Sequence, residues 1–293
     1  MTKSLRGAAA TALRNAYNHA ASATIESPGY VARIEDNLLP GIDRELFVAD
    51  FDGAGGSELK VRKDGHPPKF CAVHSSAALA VNTFALWKSH SGEFGIFGAT
   101  EFESLRFERP CENGFGTPPT LDVLLTGPRH MVGVESKCLE YFDDHTATFS
   151  QVYDLEGDHS ENDERRGSAW FRELKSLRSA PQKYVRLDAA QLIKHYMGLA
   201  HTFPSTTPPR RAILGYVFWE PENWSEIGAC LQHREELGAF SEAVAGDRVA
   251  FRWISYLDLW TTWKQLAGPA WLAGHVDALR RRYVTKVPVT LRA

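Results

Sequence analysis

The sequence predicts an α/β protein, a mixed β-sheet with helices packed on both faces. Three observations carry this. Near-continuous apolar runs such as "RRAILGYVFWEP" have the composition of strands covered on both sides. Longer segments such as "LDAAQLIKHYMGLAHTFP" place Leu192, Tyr196 and Leu199 along one stripe at helical spacing. The two kinds of segment follow one another as helix, three strands, helix, strand, helix, strand and helices, and that order builds a layered sheet. With 293 residues, 43% of them hydrophobic, the chain can bury a large core.

Residues 1–24 read as an alanine-rich helix. Residues 25–70 are punctuated by "SPGY", "LPG", "DGAGG" and "DGHPP", with a strand expected at "ELFVADF". Residues 1–70 are therefore assigned to an N-terminal elaboration and 71–293 to the main domain with its C-terminal helices. "HSSAALAVNTFALWKSH" is a helix over 75–89 capped by Ser75 or Ser76. Strands are expected over 104–109, 120–126, 131–140, 212–219 and 249–255, and a helix over 188–201. "NWSEIGACLQHREELGAFSEAVAG", "LDLWTTWKQLAG" and "AWLAGHVDALRRRY" read as further helices, and "DDHTATFSQVYDLEGDHSENDERRG" as an exposed insertion.

Thirty-three basic and 36 acidic side chains leave a net charge of −3, so nucleic-acid binding would need a local basic surface. Cys71, Cys111, Cys138 and Cys230 are too far apart for a metal knuckle, and reduced thiols in a cytoplasm are the plain reading. The N-terminus lacks the apolar stretch of a signal peptide, and no run of about 18 apolar residues is present, so a membrane span is not expected.

The chemistry-bearing feature is "TPPTLDVLLTGPRHMVGVESKCLEYF", two apolar strands that nevertheless carry Asp122, Glu135 and Lys137. A buried charge costs several kcal/mol or more unless it is paired or metal-bound. Alternation puts Glu135 and Lys137 on one face, and a hairpin can bring Asp122 beside them. Two carboxylates and an ammonium suit a hard divalent cation, with the Ser136 carbonyl as a further ligand. Such a site supports metal-assisted phosphodiester hydrolysis, with Lys137 orienting water and balancing charge. The bland alternative is an ion pair between Glu135 and Lys137.

The stretch "PPTLDVLL…VGVESKCLEYF" resembles the D…(D/E)-x-K signature of the PD-(D/E)XK nuclease superfamily, the restriction-endonuclease-like proteins. More narrowly, "HSSAALAVNTFALW", "RFERP", "AAQLIKHYMGL" and "HREELGAFSEAVAGDRVAFRWISYLDLW" look like a little-characterised bacterial branch of it, over about residues 70–262. The resemblance implies a restriction-endonuclease-like fold and a Mg²⁺-dependent nuclease, with Mn²⁺ as a substitute. A DNA endonuclease of restriction or defence type is expected. The alternative is a catalytically silent nucleic-acid-binding or assembly protein on the same fold.

Pro118 and Pro119 stand three and four residues before Asp122 rather than adjacent to it. The Gln-x-x-x-Tyr pattern of one branch is half matched, with Gln191 present and His195 in the tyrosine position. Gln191 is expected to touch a metal-bound water or phosphate, whereas His195 reads as a partly buried or capping histidine. Glu108, ahead of Glu101 and Glu103, is the expected additional acid, so the metal set is Asp122, Glu135, Ser136 and Glu108. Glu140 has the opposite strand parity and reads as structural. From Asp163 to Lys194 there are eight Lys/Arg against four acids. Arg172, Lys175, Arg178, Lys183 and Lys194, with Arg165, Arg166 and Arg186, are expected along a nucleic-acid backbone, interleaved with Trp170, Phe171 and Tyr184. "RRRYVTK" is a second basic cluster at a helix C-terminus. DNA is the expected partner, and the sequence leaves a homodimer open.

Overall fold

The computed structural model describes residues 4–21, 24–26, 29–54, 57–63, 65–114, 117–153, 168–202, 211–266 and 268–289. Its centre is a five-stranded mixed sheet. Strands β3 (Ser104–Pro110), β4 (Thr120–Thr126) and β5 (His130–Lys137) form an antiparallel meander. Strands β6 (Arg211–Phe218) and β7 (Val249–Ser255) then add in parallel, in the order β3-β4-β5-β6-β7. A small ladder joins β1 (Ile25–Glu26) to β2 (Tyr30–Val31). Each expected sheet strand is present, because buried apolar runs bounded by Gly and Pro leave few alternatives.

Helices cover both faces. α3 (Ser76–Phe84) and α7 (Tyr256–Gln265) approach one face, where Ser136 Oγ meets the Ser76 carbonyl at 3.3 Å and the Tyr256 hydroxyl at 2.7 Å. α5 (Ala189–Thr202) lies on the other, with α4 (Ala169–Ser179) and α6 (Gly228–Ala243) beside it. Glycine permits the close seat of α5. A Cβ at Gly133 would stand 2.7 Å from Leu121 Cδ1 and 3.2 Å from Leu199 Cδ1, and one at Gly198 would meet Cys111 at 2.9 Å.

α1 (Leu5–Ala20), capped by Ser4, packs on α8 (Leu272–Tyr283). Arg282, from the C-terminal basic cluster, is buried between the rings of Tyr17 and Tyr283 at 4.5 and 4.6 Å, and it donates to the Val73 carbonyl at 2.8 Å.

Three local expectations need correction. The strand expected at "ELFVADF" is instead a 3-10 turn, Arg44–Leu46, followed by α2 (Val48–Gly53). Phe47 and Phe51, four residues apart, share one helical face against Phe70, at 5.4 and 6.1 Å between ring centres. Asp50 meanwhile accepts the Phe107 N–H at 3.0 Å and pairs with Lys88 at 2.7 Å. The helix expected over 75–89 ends at Phe84 and tightens into a 3-10 stretch, Ala85–Glu93. The strand expected to reach residue 140 stops at Lys137, where Glu140 caps the turn by accepting the Cys138 N–H at 2.6 Å.

Candidate active site

Asp122, Glu135 and Lys137 come together where β4 and β5 part. The last ladder pair between these strands is Val123–Val134, so the register continued by one residue sets Asp122 opposite Glu135. On its other side Asp122 falls opposite Glu108. The β3–β4 ladder skips that position, pairing Phe107 with Val123 and Arg109 with Leu121. Glu108 has φ 45°, a left-handed backbone that is strained for a residue with a Cβ. The distortion places the third expected acid at the same break in the sheet.

Lys137 Nζ lies 2.6 Å from Glu135 Oε1 and donates to Gln191 Oε1 at 2.7 Å. His195 Nε2 lies 2.8 Å from Glu135 Oε2. Gln191 and His195 are four residues apart on α5 and therefore point the same way, with Asp188 accepting the Gln191 N–H at 3.0 Å to cap the helix. Asp122 Oδ2 accepts the Ser136 N–H at 2.6 Å. The Lys137 carbonyl accepts the Trp219 N–H on the β6 side. Alternation along the strand then turns the Ser136 backbone toward β4 and Asp122.

The electrostatics follow from crowding acids in a space that water barely reaches. Burial, Glu135 and Glu108 push the Asp122 carboxyl well above the usual carboxylate range, against the pull of Lys137 and the Ser136 N–H. Burial, then Glu58 and Glu135, raise Glu108 to about 7. Burial alone would also raise Glu135, but Lys137 and His195 reverse it and hold Glu135 at about 2. Lys137 is raised despite its burial, chiefly by Glu135 and then by Glu140 and Asp122.

The cluster thus holds more carboxylate than cation. Its donors are two neighbouring carboxylates and a backbone carbonyl facing them, a hard-oxygen set that fits Mg²⁺ or Mn²⁺ completed by water and phosphate. Among the described residues no group of three or more His, Cys, Asp or Glu side chains is placed to hold a metal ion, so Glu108 does not complete a three-acid set with Asp122 and Glu135. An open two-carboxylate site is the arrangement in which Mg²⁺ is shared with substrate phosphates.

The family described as Restriction Endonuclease associating with ARP matches residues 16–284. The chain belongs to this family. Its strand order, parallel pairs and helices on both faces are consistent with the restriction-endonuclease-like fold that membership implies. No curated protein and no solved structure matches the chain.

The candidate cations and aromatics of this restriction-endonuclease family member have different surroundings. Lys194 and Arg178 converge on one aromatic ring, Phe149, at 5.7 and 6.0 Å from its centre. Arg172 and Lys175 are exposed on α4. Lys183 reaches back to the buried Glu173 at 2.8 Å, a fold-stabilising pair, and Arg186 pairs with Asp144 at 2.7 Å. Arg165 and Arg166 lie outside the described residues. Trp170, Phe171 and Tyr184, expected between these cations on a binding face, are instead core residues. They are 0, 1 and 3% exposed, because they occupy the inward side of α4 and of the turn after it.

Glu101 pairs with Arg129 at 2.7 Å on the exterior, away from the cluster. His195 is the site residue whose place beside Glu135 the sequence reading misses. It is neither a cap nor a loose core histidine, being 1% exposed against Glu135. The available signal is its four-residue spacing from Gln191. Among the described residues, no helix is long and apolar enough to cross a membrane.

Proposed function

We propose that this chain is a Mg²⁺-dependent nuclease, a DNA endonuclease of restriction or defence type, in which Mn²⁺ can replace Mg²⁺. The observation that carries the reading is the Asp122–Glu135 pair, two carboxylates held at adjacent register positions with Lys137 fixed on Glu135. One of these carboxyls is ionised far more readily than the other. That imbalance supports a site completed by a cation, since two buried acids side by side cannot both ionise without compensation.

Asp122, Glu135 and the Ser136 carbonyl would hold the metal, with Glu108 as a neighbouring acid. Bound there, a divalent ion supplies Lewis-acid polarisation of the phosphate and a water that ionises near neutral pH. Lys137 would orient the attacking water and offset the charge that builds on the phosphate. Gln191 holds the Lys137 ammonium in place, and His195 stands 2.8 Å from the carboxylate of Glu135. Lys194 and Arg178 beside Phe149, with Arg172 and Lys175 further along α4, serve the nucleic-acid backbone; Lys183 contributes through its hold on Glu173. The buried free cysteines fit a reducing cytoplasm.

A second reading is a catalytically silent assembly protein on the same fold. It is favoured by the close approach of protein nitrogens to both Glu135 oxygens, Lys137 Nζ at 2.6 Å and His195 Nε2 at 2.8 Å, and by the family's description as associating with ARP. The two readings separate when plasmid, single-stranded DNA and RNA are incubated with Mg²⁺ or Mn²⁺ beside a Lys137→Ala control. Cleavage that disappears in the variant supports the nuclease. Intact substrates throughout support the assembly protein.

A further inference from the structure

The acid-rich cluster cannot hold a polyanion by itself, so cations must flank it. On the α5 side they are Lys194 and Arg178. On the Glu108 side the neighbouring chain is "SELKVRKDGHPPK", residues 57–69, whose place in the fold is set by its root. The Glu58 carbonyl accepts the N–H of Phe70 at 3.1 Å, and Lys69 pairs with the Glu58 carboxylate at 3.3 Å. Phe70 is fully buried and packs on Phe51, which in turn packs on Phe107 at 6.3 Å, and Phe107 is the residue next to Glu108. The root therefore stands beside β3, the edge strand that carries Glu108.

Beyond the root the chain leaves the core and turns back. Gly65, at φ 79°, donates to the Arg62 carbonyl at 3.0 Å, and Arg62 donates to that of His66 at 3.1 Å. Pro67 and Pro68 fix the returning limb. On the outgoing limb Val61 is 72% exposed, more than Leu266, Leu231 or Val289. A single exposed valine means nothing alone. This one lies between Lys60 and Lys63, both exposed and without an ion pair among the described residues, on a limb braced by Arg62 against the Tyr30 hydroxyl at 3.2 Å. An apolar tip between cations on a short braced projection matches the chemistry of a nucleic-acid groove, where phosphates flank apolar sugar and base edges.

We infer that residues 57–63 and 65–69 form an arm that grips the nucleic-acid substrate on the Glu108 side, with Lys60 and Lys63 on backbone phosphates and Val61 in the groove between them. The ligand's identity rests on the nuclease reading; the arm is an addition to it. Removing one phosphate-binding lysine should reduce the slope of log affinity against log salt by about 0.9.

The test is fluorescence anisotropy of a labelled DNA duplex with the full-length protein in EDTA, across about 50 to 200 mM salt. Lys60→Ala/Lys63→Ala should bind about tenfold or more weakly at the low end and flatten the slope by about 1.8. Val61→Ser should weaken binding with the slope unchanged. All variants should retain the wild-type melting temperature and Mg²⁺ titration. Wild type that binds while both variants match it in affinity and slope overturns the arm alone. Wild type that binds neither duplex, single-stranded DNA nor RNA overturns the nuclease reading and the arm together.

Discussion

Replacing Glu108 by glutamine should stabilise the protein in the absence of divalent cation, by an amount that depends on pH. The wild-type carboxyl is held at about 7 against an ordinary 4.5, by burial first and then by Glu58 and Glu135. Glutamine keeps the shape, and the left-handed backbone at this position is common to both proteins, so strain cancels. The sign follows from the raised proton affinity. Below pH 4.5 the carboxyl is neutral in folded and unfolded chains alike, and the two proteins should differ little. Between pH 4.5 and 7 the unfolded chain ionises first, so wild type loses stability progressively. Above 7 the loss is complete, at about 3 kcal/mol. For a chain of this size that is roughly 5–10 °C in melting temperature. Calorimetric melts in EDTA at pH 4.5 and pH 8 would measure it, and saturating Mg²⁺ should shrink the gain by neutralising the wild-type acids. A difference independent of pH, or no gain at pH 8, would refute the placement of Glu108 in the acid cluster.

Three further outcomes are expected. Gly133→Ala should cost about 1–3 kcal/mol in denaturant unfolding, because its methyl would meet Leu121 and Leu199 inside ordinary contact distance and force α5 outward. Glu135, depressed to about 2 by Lys137 and His195, contributes stability that is present above about pH 4.5 and lost as pH falls toward 2; Glu135→Gln should remove that acid-limb loss from a pH series of melts, and an unchanged acid limb would count against the pairing. Charge reversal at Arg172, Lys175 and Arg178 together should weaken binding to every DNA sequence and flatten its salt dependence; unchanged affinity would remove α4 from the binding surface.

Much of the sheet is legible in the sequence because β4, β5 and β6 are apolar runs too short for buried helices and bounded by turn residues. The cluster is visible for the converse reason, since Asp122, Glu135 and Lys137 interrupt those runs with charges that need partners. What is not legible depends on contacts distant in sequence. His195 reads as a partly buried or capping histidine until α5 is laid on β5 and brings it to 2.8 Å from Glu135. Glu108 is identifiable as a nearby acid, but its left-handed backbone and its position opposite Asp122 follow from the interrupted ladder. "ELFVADF" is apolar at spacings that serve strand or helix equally, and the contacts of Phe47 and Phe51 with Phe70 decide for the helix. Trp170 and Phe171 sit among cations in sequence yet face inward, because an amphipathic helix interleaves its two sides.

The central claim is that Asp122, Glu135 and Lys137 form a cation-dependent phosphodiesterase site. It is tested most directly by plasmid cleavage in Mg²⁺ or Mn²⁺, with wild type and Lys137→Ala run side by side and Mg²⁺ binding to both measured by calorimetry. The account predicts that wild type nicks or linearises the plasmid only when the cation is present, and that the variant binds the cation yet leaves the DNA intact. Wild type that binds no cation and cuts nothing, or a variant that cuts as wild type does, would contradict it.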